Sequence, residues 1–340
     1  MRLSGTSLAI CCAAFAVVAP QAVLAQSAAR GFVGDTRTGA GQAFPIKPVR
    51  MIIGFPAGSS SDVVGRLVAQ KMTETLGQTV IFENRPGVGG NIAAEFIAKS
   101  PADGYTLLYA NTGLAVAVSA YEKLGYDALR DLVPVGQAVA GPHLLIVNLA
   151  LPVQSVKDLI ALVKSRPRGY NVASSGNGNS DHFAYELFRS MTGAEMVHVP
   201  YKGGGQASID VISGQMAAYF SGMAAGLPLV NAGKVRGLAV TTAQRSQIAP
   251  DIPTMIEAGV PGYEHVLWNA VLAPAATPKI VVARLDAELA KAVGAPELRE
   301  RFATLGVEPH SRTSEQMTAY LKAEIDKYGK IVRAIGLKID

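Results

Sequence analysis

The sequence predicts an α/β protein with doubly wound parallel sheets in two domains. Three observations carry that prediction. Short apolar runs alternate with segments of helical spacing along most of the chain. Turns of small residues join several of these strands to the helices that follow. Two apolar segments, 132–149 and 265–272, interrupt the alternation and read as crossings between domains.

The chain opens with a targeting segment. Arg2 supplies a positive start, residues 8–18 are apolar, and Val23, Leu24 and Ala25 precede a cut placed after Ala25, so residues 1–25 are expected to be a signal peptide. The apolar run is short and broken at Pro20, unlike a membrane span. Ile10 stands where a lipoprotein signal wants a small residue, so Cys11 and Cys12 do not indicate a lipid anchor. Cleavage leaves no cysteine and lowers the formal charge from +5 to about +4. Residues 26–43 lack an apolar period and read as a flexible leader. The rest is long enough for two ordinary domains. The basic balance is mild and contains no Lys/Arg run, so nucleic-acid binding is not suggested.

The folded part is expected to begin near Phe44. Residues 51–55 read as a buried strand, and Asp62 opens an amphipathic helix. Between them lie Pro56, Ala57, Gly58, Ser59, Ser60 and Ser61. Such a turn gathers backbone N–H groups, hydroxyls and the positive end of a helix dipole, which suits a carboxylate or phosphate. Its other reading is an ordinary βα turn with Ser61 or Asp62 as N-cap. A strand follows at 79–83, a glycine-rich turn at 84–90, a helix at 91–99 and a strand at 105–110. Ligands of parallel sheets gather at the carboxyl ends of strands. That rule places the 55–62 turn, the 84–91 turn, Asn111, Thr112 and Gly113 on one rim.

Residues 132–149, broken at Gly141-Pro142, read as two successive strands. A helix at 153–164 and a strand at 170–173 lead to Ser174, Ser175, Gly176, Asn177, Gly178, Asn179, Ser180 and Asp181, with a helix from His182. This repeats the opening pattern, and the two turns could face each other across a cleft. Further strands are expected at 196–200, 217–221 and 235–241, with helices at 207–213, 224–231 and 252–259. A third small-residue turn, Tyr201-Lys202-Gly203-Gly204-Gly205, precedes the helix at 207–213. After the return crossing, helices at 278–293, 296–305 and 314–336 would pack on the first domain. Expected bounds are therefore 44–142 with 267–340 for domain 1 and 143–266 for domain 2.

The sequence offers binding turns without a catalytic set. No two of the five histidines stand at metal-ligand spacing, HExxH and GxSxG are absent, and neither glycine cluster fits a dinucleotide or Walker A motif. Only His182 lies in a candidate site turn. Arg85 is expected to pair with Glu83 or a nearby acid, and Lys202 is either a cleft residue or a solvated charge. Trp268 is expected in the core, in sight of the cleft.

The ordered segments FPIKPVRMIIGFPAGSSSD, LGQTVIFENRPGVGGNIAAEFIAKSPADGYTLL, VPYKGGGQASIDVISGQ and LAPAATPKIVVARL resemble the tripartite tricarboxylate transporter substrate-receptor family, the Bug proteins, from about Phe44 to the C-terminus. The resemblance implies a type II periplasmic binding protein fold, two α/β domains joined by two crossing strands and closing on a small ligand. It implies a periplasmic, non-enzymatic, monomeric receptor without cofactor or metal. Its expected partners are one large and one small integral transporter subunit. In that family the two strand–helix turns hold a carboxylate. Carried to this sequence, the implied ligand-binding residues are Phe55, Ala57, Gly58, Ser59, Ser60, Ser61 and Asp62 of the first turn, and Asn111 and Thr112. The second lobe would add Ser174, Ser175, Gly176, Asn177, Gly178, His182, Tyr201, Lys202 and Gly203. Pro56, Asn179 and Asp181 lie within the same turns. Ser59 replaces a glycine common in the family. The strand at 217–221 lacks an acid that many members carry, which disfavours an amino-acid ligand. Dicarboxylates, tricarboxylates, aromatic acids and nicotinate-like acids stay open, as does a sensory role feeding a signalling kinase; a periplasmic enzyme on the same fold would need a titratable cluster that the sequence does not show.

Overall fold

The computed structural model describes residues 44–339. The expected signal peptide and leader lie outside the described residues. The strands are β1 Val49–Ile53, β2 Val80–Asn84, β3 Thr106–Asn111, β4 Leu132–Val147, β5 Asn171–Ser174, β6 Val197–Pro200, β7 Ala218–Gly222, β8 Arg236–Val240, β9 Val266–Pro274 and β10 Glu308–Pro309. The helices are α1 Ser60–Leu76, α2 Asn91–Ala98, α3 Gly113–Ala120, α4 Val156–Ser165, α5 Ser180–Thr192, α6 Gly204–Ser213, α7 Met223–Asn231, α8 Lys279–Gly294, α9 Pro296–Leu305 and α10 Ser314–Ile335.

The strands form one curled sheet in the order β2-β1-β3-β9-β4-β7-β5-β6, with β8 and β10 also pairing with β4. The expected parallel arrangement holds for β1, β2 and β3, and again for β5, β6 and β7. Every pair involving β4 or β9 is antiparallel, so the sheet is mixed. The long apolar segment is one strand where two were expected. Register shifts at Pro134/Gly136 and Gln137/Val139 let it turn without breaking. It pairs with β9 as far as Pro142↔Val266 and with β7 from His143↔Gly222.

Side-chain alternation explains how the sheet is held. Along β9, Trp268, Ala270 and Leu272 enter one apolar cluster, and Val271 and Ala273 enter another. In β3, Leu108 and Ala110 join the first cluster, and Leu107 and Tyr109 the second. The sheet is therefore buried on both faces, as helices on both sides require. Each large apolar side chain removed from water contributes about 1.5–3 kcal/mol before conformational entropy is charged.

Local sequence sets the helix ends. The N-cap of α1 is Ser59, not Ser61 or Asp62; its Oγ accepts from Asp62 N at 3.2 Å. Ser59 thus begins the helix that follows. Thr313 and Gln316 form a reciprocal capping box at α10, which ends at Gly336 with φ 64°. The expected helix at 252–259 is absent. Val240 N donates to Pro253 O and Met255 N to Val240 O, so Thr254 forms an isolated bridge beside Val240, and residues 255–259 form turns without a regular helix. The short helix α3 was not expected, because its GLAVAVSA sequence carries no polar face.

Helix α10 packs against both α3 and α5. The fully buried Trp268 donates from Nε1 to Glu324 Oε2 at 3.0 Å, and Tyr328 OH lies 3.1 Å from His265 Nδ1. Trp268 is a core residue, as expected.

Candidate functional site: two helix starts on one cleft

The first turn is braced from within. The buried Asp62 carboxylate accepts from Gly58 N at 2.9 Å and Asn84 Nδ2 at 2.7 Å, and Arg66 lies on its other side at 3.0–3.1 Å. Asn84 Nδ2 also donates to Phe55 O. Gly58 has φ +82°, a conformation that an L side chain rarely adopts.

The second turn has a similar brace. Asp181 accepts from Ser175 N at 2.7 Å and His182 N at 2.9 Å. Gly178 N donates to His182 Nδ1, and Asn179 Nδ2 to Ser175 Oγ. Behind the loop, the rings of His182 and His198 stack with centroids 3.9 Å apart, and His198 Nε2 lies 2.6 Å from Ser174 Oγ. Burial holds His198 neutral, down to about 3. Burial pushes Asp181 upward against the hydrogen bonds it accepts, and pushes Tyr219, beside Asp181, well above its ordinary value.

The two turns meet at a small cavity of about 30 Å³. Ser60 and Ser180, the first residues of α1 and α5, both line it. Two positive helix ends therefore converge on one point, where an anion is stabilised by each dipole and by hydroxyl donors. Three buried atoms of lining residues have no partner within the protein: Ser60 Oγ, Asn179 Oδ1 and His143 Nδ1. Buried polar atoms are paired almost everywhere in folded proteins, and three of the seven unpartnered buried side-chain atoms among the described residues gather on this one small wall.

A larger cavity of about 550 Å³ adjoins the first and shares Phe55, Pro56, Ser175 and Asn179 with it. Its wall continues through the Gly87–Gly90 loop, Tyr121, Pro200, Tyr201, Lys202 and Ile339. Its two sides touch. Tyr121 OH donates to Asn177 O at 3.0 Å, and a Cβ at Gly203 would lie 2.4 Å from Pro56 Cγ.

Of the expected binding residues, Phe55, Ser59, Ser60, Ser61, Asn111 and Ser175 line the inner cavity. Gly176, Asn177, Tyr201 and Lys202 line the outer one. The others stand outside both walls. Ala57 and Gly58 shape the turn, and Asp62 is spent on its own loop. Thr112 Oγ1 donates to Val266 O and accepts from Trp268 N. Ser174 and His182 lie behind the second turn, with Gly178 against Tyr121 and Gly203 against Pro56. Arg85 lies over the Phe96 ring, because Arg50 takes Glu83 at 2.7 Å.

His143, Tyr219, Gly222 and Leu267 line the inner cavity without having been singled out. Each lies in or at the end of an apolar strand, where facing depends on register. Among the described residues, no cluster of His, Cys, Asp or Glu could hold a metal ion, and no helix is long and apolar enough to cross a membrane.

The profile described as "Tripartite tricarboxylate transporter family receptor" matches residues 64–337. The chain belongs to this receptor family. Solved structures agree with that membership and with the type II periplasmic binding protein fold. The periplasmic binding protein BugD is 31% identical, with TM-score 0.84, over 87% of this chain and 99% of its own. Rpa4515 of R. palustris, solved with adipate, is 37% identical with TM-score 0.83 over 86% and 98%. MatC of Rhodopseudomonas palustris, with bound malate, is 30% identical with TM-score 0.82 over 85% and 100%. The receptor family thus includes carboxylate binders on this fold.

Proposed function

We propose that this family member is a periplasmic receptor that captures a small organic carboxylate between two lobes and passes it to the membrane subunits of a tripartite transporter. The lobes are residues 44–142 with 267–340, and 143–266. The carrying observation is the convergence of the α1 and α5 starts on one cavity with three unpartnered buried polar atoms. One carboxylate of the ligand would sit there, held by Ser60, Ser175, Asn179 and the helix ends. Its body would extend past Phe55 and Pro56 into the outer cavity, towards Tyr201 and Lys202. An elongated acid fits this shape better than a compact one. The adipate and malate found in the related proteins support the chemical class. The role we read is capture: Ser180 Oγ lies 2.8 Å from His265 Nε2, but the other ring nitrogen meets Tyr328 OH at 3.1 Å, so the pair lacks the orienting acid of a catalytic triad.

Thermal unfolding against a panel of carboxylates and their uncharged amides tests the reading. A ligand at 100 times its dissociation constant adds about 2.7 kcal/mol, which raises the midpoint by roughly 5 °C for a chain of this size. A shift with acids alone is expected. Equal shifts with amides, or none with any acid, would refute it.

A further inference from the structure

We infer that His143 is a ligand-contacting residue of this cleft, donating a hydrogen bond from its imidazole N–H to the carboxylate of the bound acid. The inference rests on the carboxylate-receptor reading and assigns a residue that neither strand–helix turn contains.

His143 lines the inner cavity, is 2% exposed, and its Nδ1 has no partner within the protein. The contrast with its neighbour is informative. The His265 ring stacks on His143 with centroids 5.1 Å apart, and both its nitrogens are engaged, Nε2 by Ser180 Oγ at 2.8 Å and Nδ1 by Tyr328 OH at 3.1 Å. His143 is equally well fixed through its backbone. Its N donates to Thr241 Oγ1 at 2.8 Å and its O accepts from Thr241 N at 3.0 Å. With its backbone fixed and its ring stacked on His265, this residue of the cavity wall keeps an unmet hydrogen-bonding nitrogen.

Burial keeps this imidazole neutral, down to about 3. A neutral ring offers one N–H and one bare nitrogen, so it can donate to a carboxylate oxygen without bringing a charge that must be desolvated. His143 also marks the change of partner along β4, the point where pairing with β9 gives way to pairing with β7. A ligand bonded there touches the crossing strand as well as both turns. Occupancy is thereby tied to the segment about which the halves would move.

The test uses the mature protein with succinate, malate, adipate and citrate, measured by titration calorimetry. His143→Phe keeps an aromatic ring for the His265 stack and removes the donor. It is expected to weaken the tightest of the four acids by about ten- to a hundredfold, the range for a hydrogen bond to a charged group. His143→Gln, which restores a donor, is expected to recover most of that loss. Binding by His143→Phe within twofold of wild type overturns the assignment and leaves the receptor reading standing. Wild type that binds none of the four acids overturns both. Should His143→Phe fail to fold, NMR of the histidine-labelled wild type decides. The ring signal missing from His143→Gln must shift on saturation with the acid, and an unmoved signal overturns the assignment.

Discussion

Gly222→Ala is the perturbation that best separates folding from ligand capture. Gly222 ends β7 with φ −61° and ψ 144°, a backbone any residue adopts, so alanine brings no conformational strain. A Cβ there would lie 2.5 Å from Ser60 Cβ, 2.3 Å from Ser60 Oγ and 3.3 Å from Leu267 Cδ2. Ser60 is the first residue of α1, and its Cβ cannot rotate away. Ordinary contact requires the α1 start and the end of β7 to separate by about 1 Å. A bond such as Tyr121 OH to Asn177 O, now 3.0 Å, lies beyond hydrogen-bonding range after such a shift. A ligand held by both turns would lose good geometry on one side. Losing one or two hydrogen bonds to a charged group costs about 1.5–4 kcal/mol, or roughly ten- to a thousandfold in affinity. Titration calorimetry measures the affinity, and thermal unfolding of the free protein should move by no more than a few degrees. Unchanged affinity with an intact fold would refute the idea that close approach of Ser60 and Gly222 is needed for capture.

Asp62→Ala should cost about 2–4 kcal/mol in urea unfolding, because Gly58 N and the Asn84 amide lose a buried acceptor; a loss under 0.5 kcal/mol would show that the brace is dispensable. Ser175→Val should abolish binding in a folded protein, and full affinity would remove the second turn from the site. Lys202→Met should weaken adipate by about threefold at low salt and less at high salt, as for an exposed charge; an effect that ignores salt would contradict that role. Acid should destabilise the protein below pH 6.5. Burial lowers His143 and His198 to about 3 and His265 well below its ordinary value, so the unfolded chain takes up protons that the folded one refuses. The loss approaches about 1.4 kcal/mol per pH unit for each such histidine as pH falls towards 3, and there is none above 6.5. Asp181 and Glu324, both raised by burial, work in the opposite sense at the acid end of that window. Urea midpoints that stay level from pH 7.5 to 5 would refute this.

The parts of the site that were legible in the sequence are those that local chemistry specifies. Small residues between an apolar run and a helical period located both turns, because hydroxyls, glycines and caps act within a few residues of where they stand. What local chemistry cannot specify is facing. Asp62 looks like a ligand contact in a list of turn residues, yet it is spent on Gly58 and Asn84, the latter 22 positions away. His143 and Tyr219 look like interior strand residues, and become cleft residues only through the pairing of β4 with β7. The fold shows the same division. Strand and helix alternation was readable. The antiparallel entry of β4 and β9 and the continuity of β4 through Gly141-Pro142 depend on partners more than a hundred residues distant.

The most direct test of the central claim is a crystal structure of the mature protein with its tightest-binding acid. The account predicts a carboxylate between the starts of α1 and α5, with oxygens within about 3 Å of Ser60 Oγ, an amide or hydroxyl of the second turn, and the His143 ring. A carboxylate held elsewhere, for instance by Arg245 and Arg299 in the groove behind the crossing strands, would contradict it.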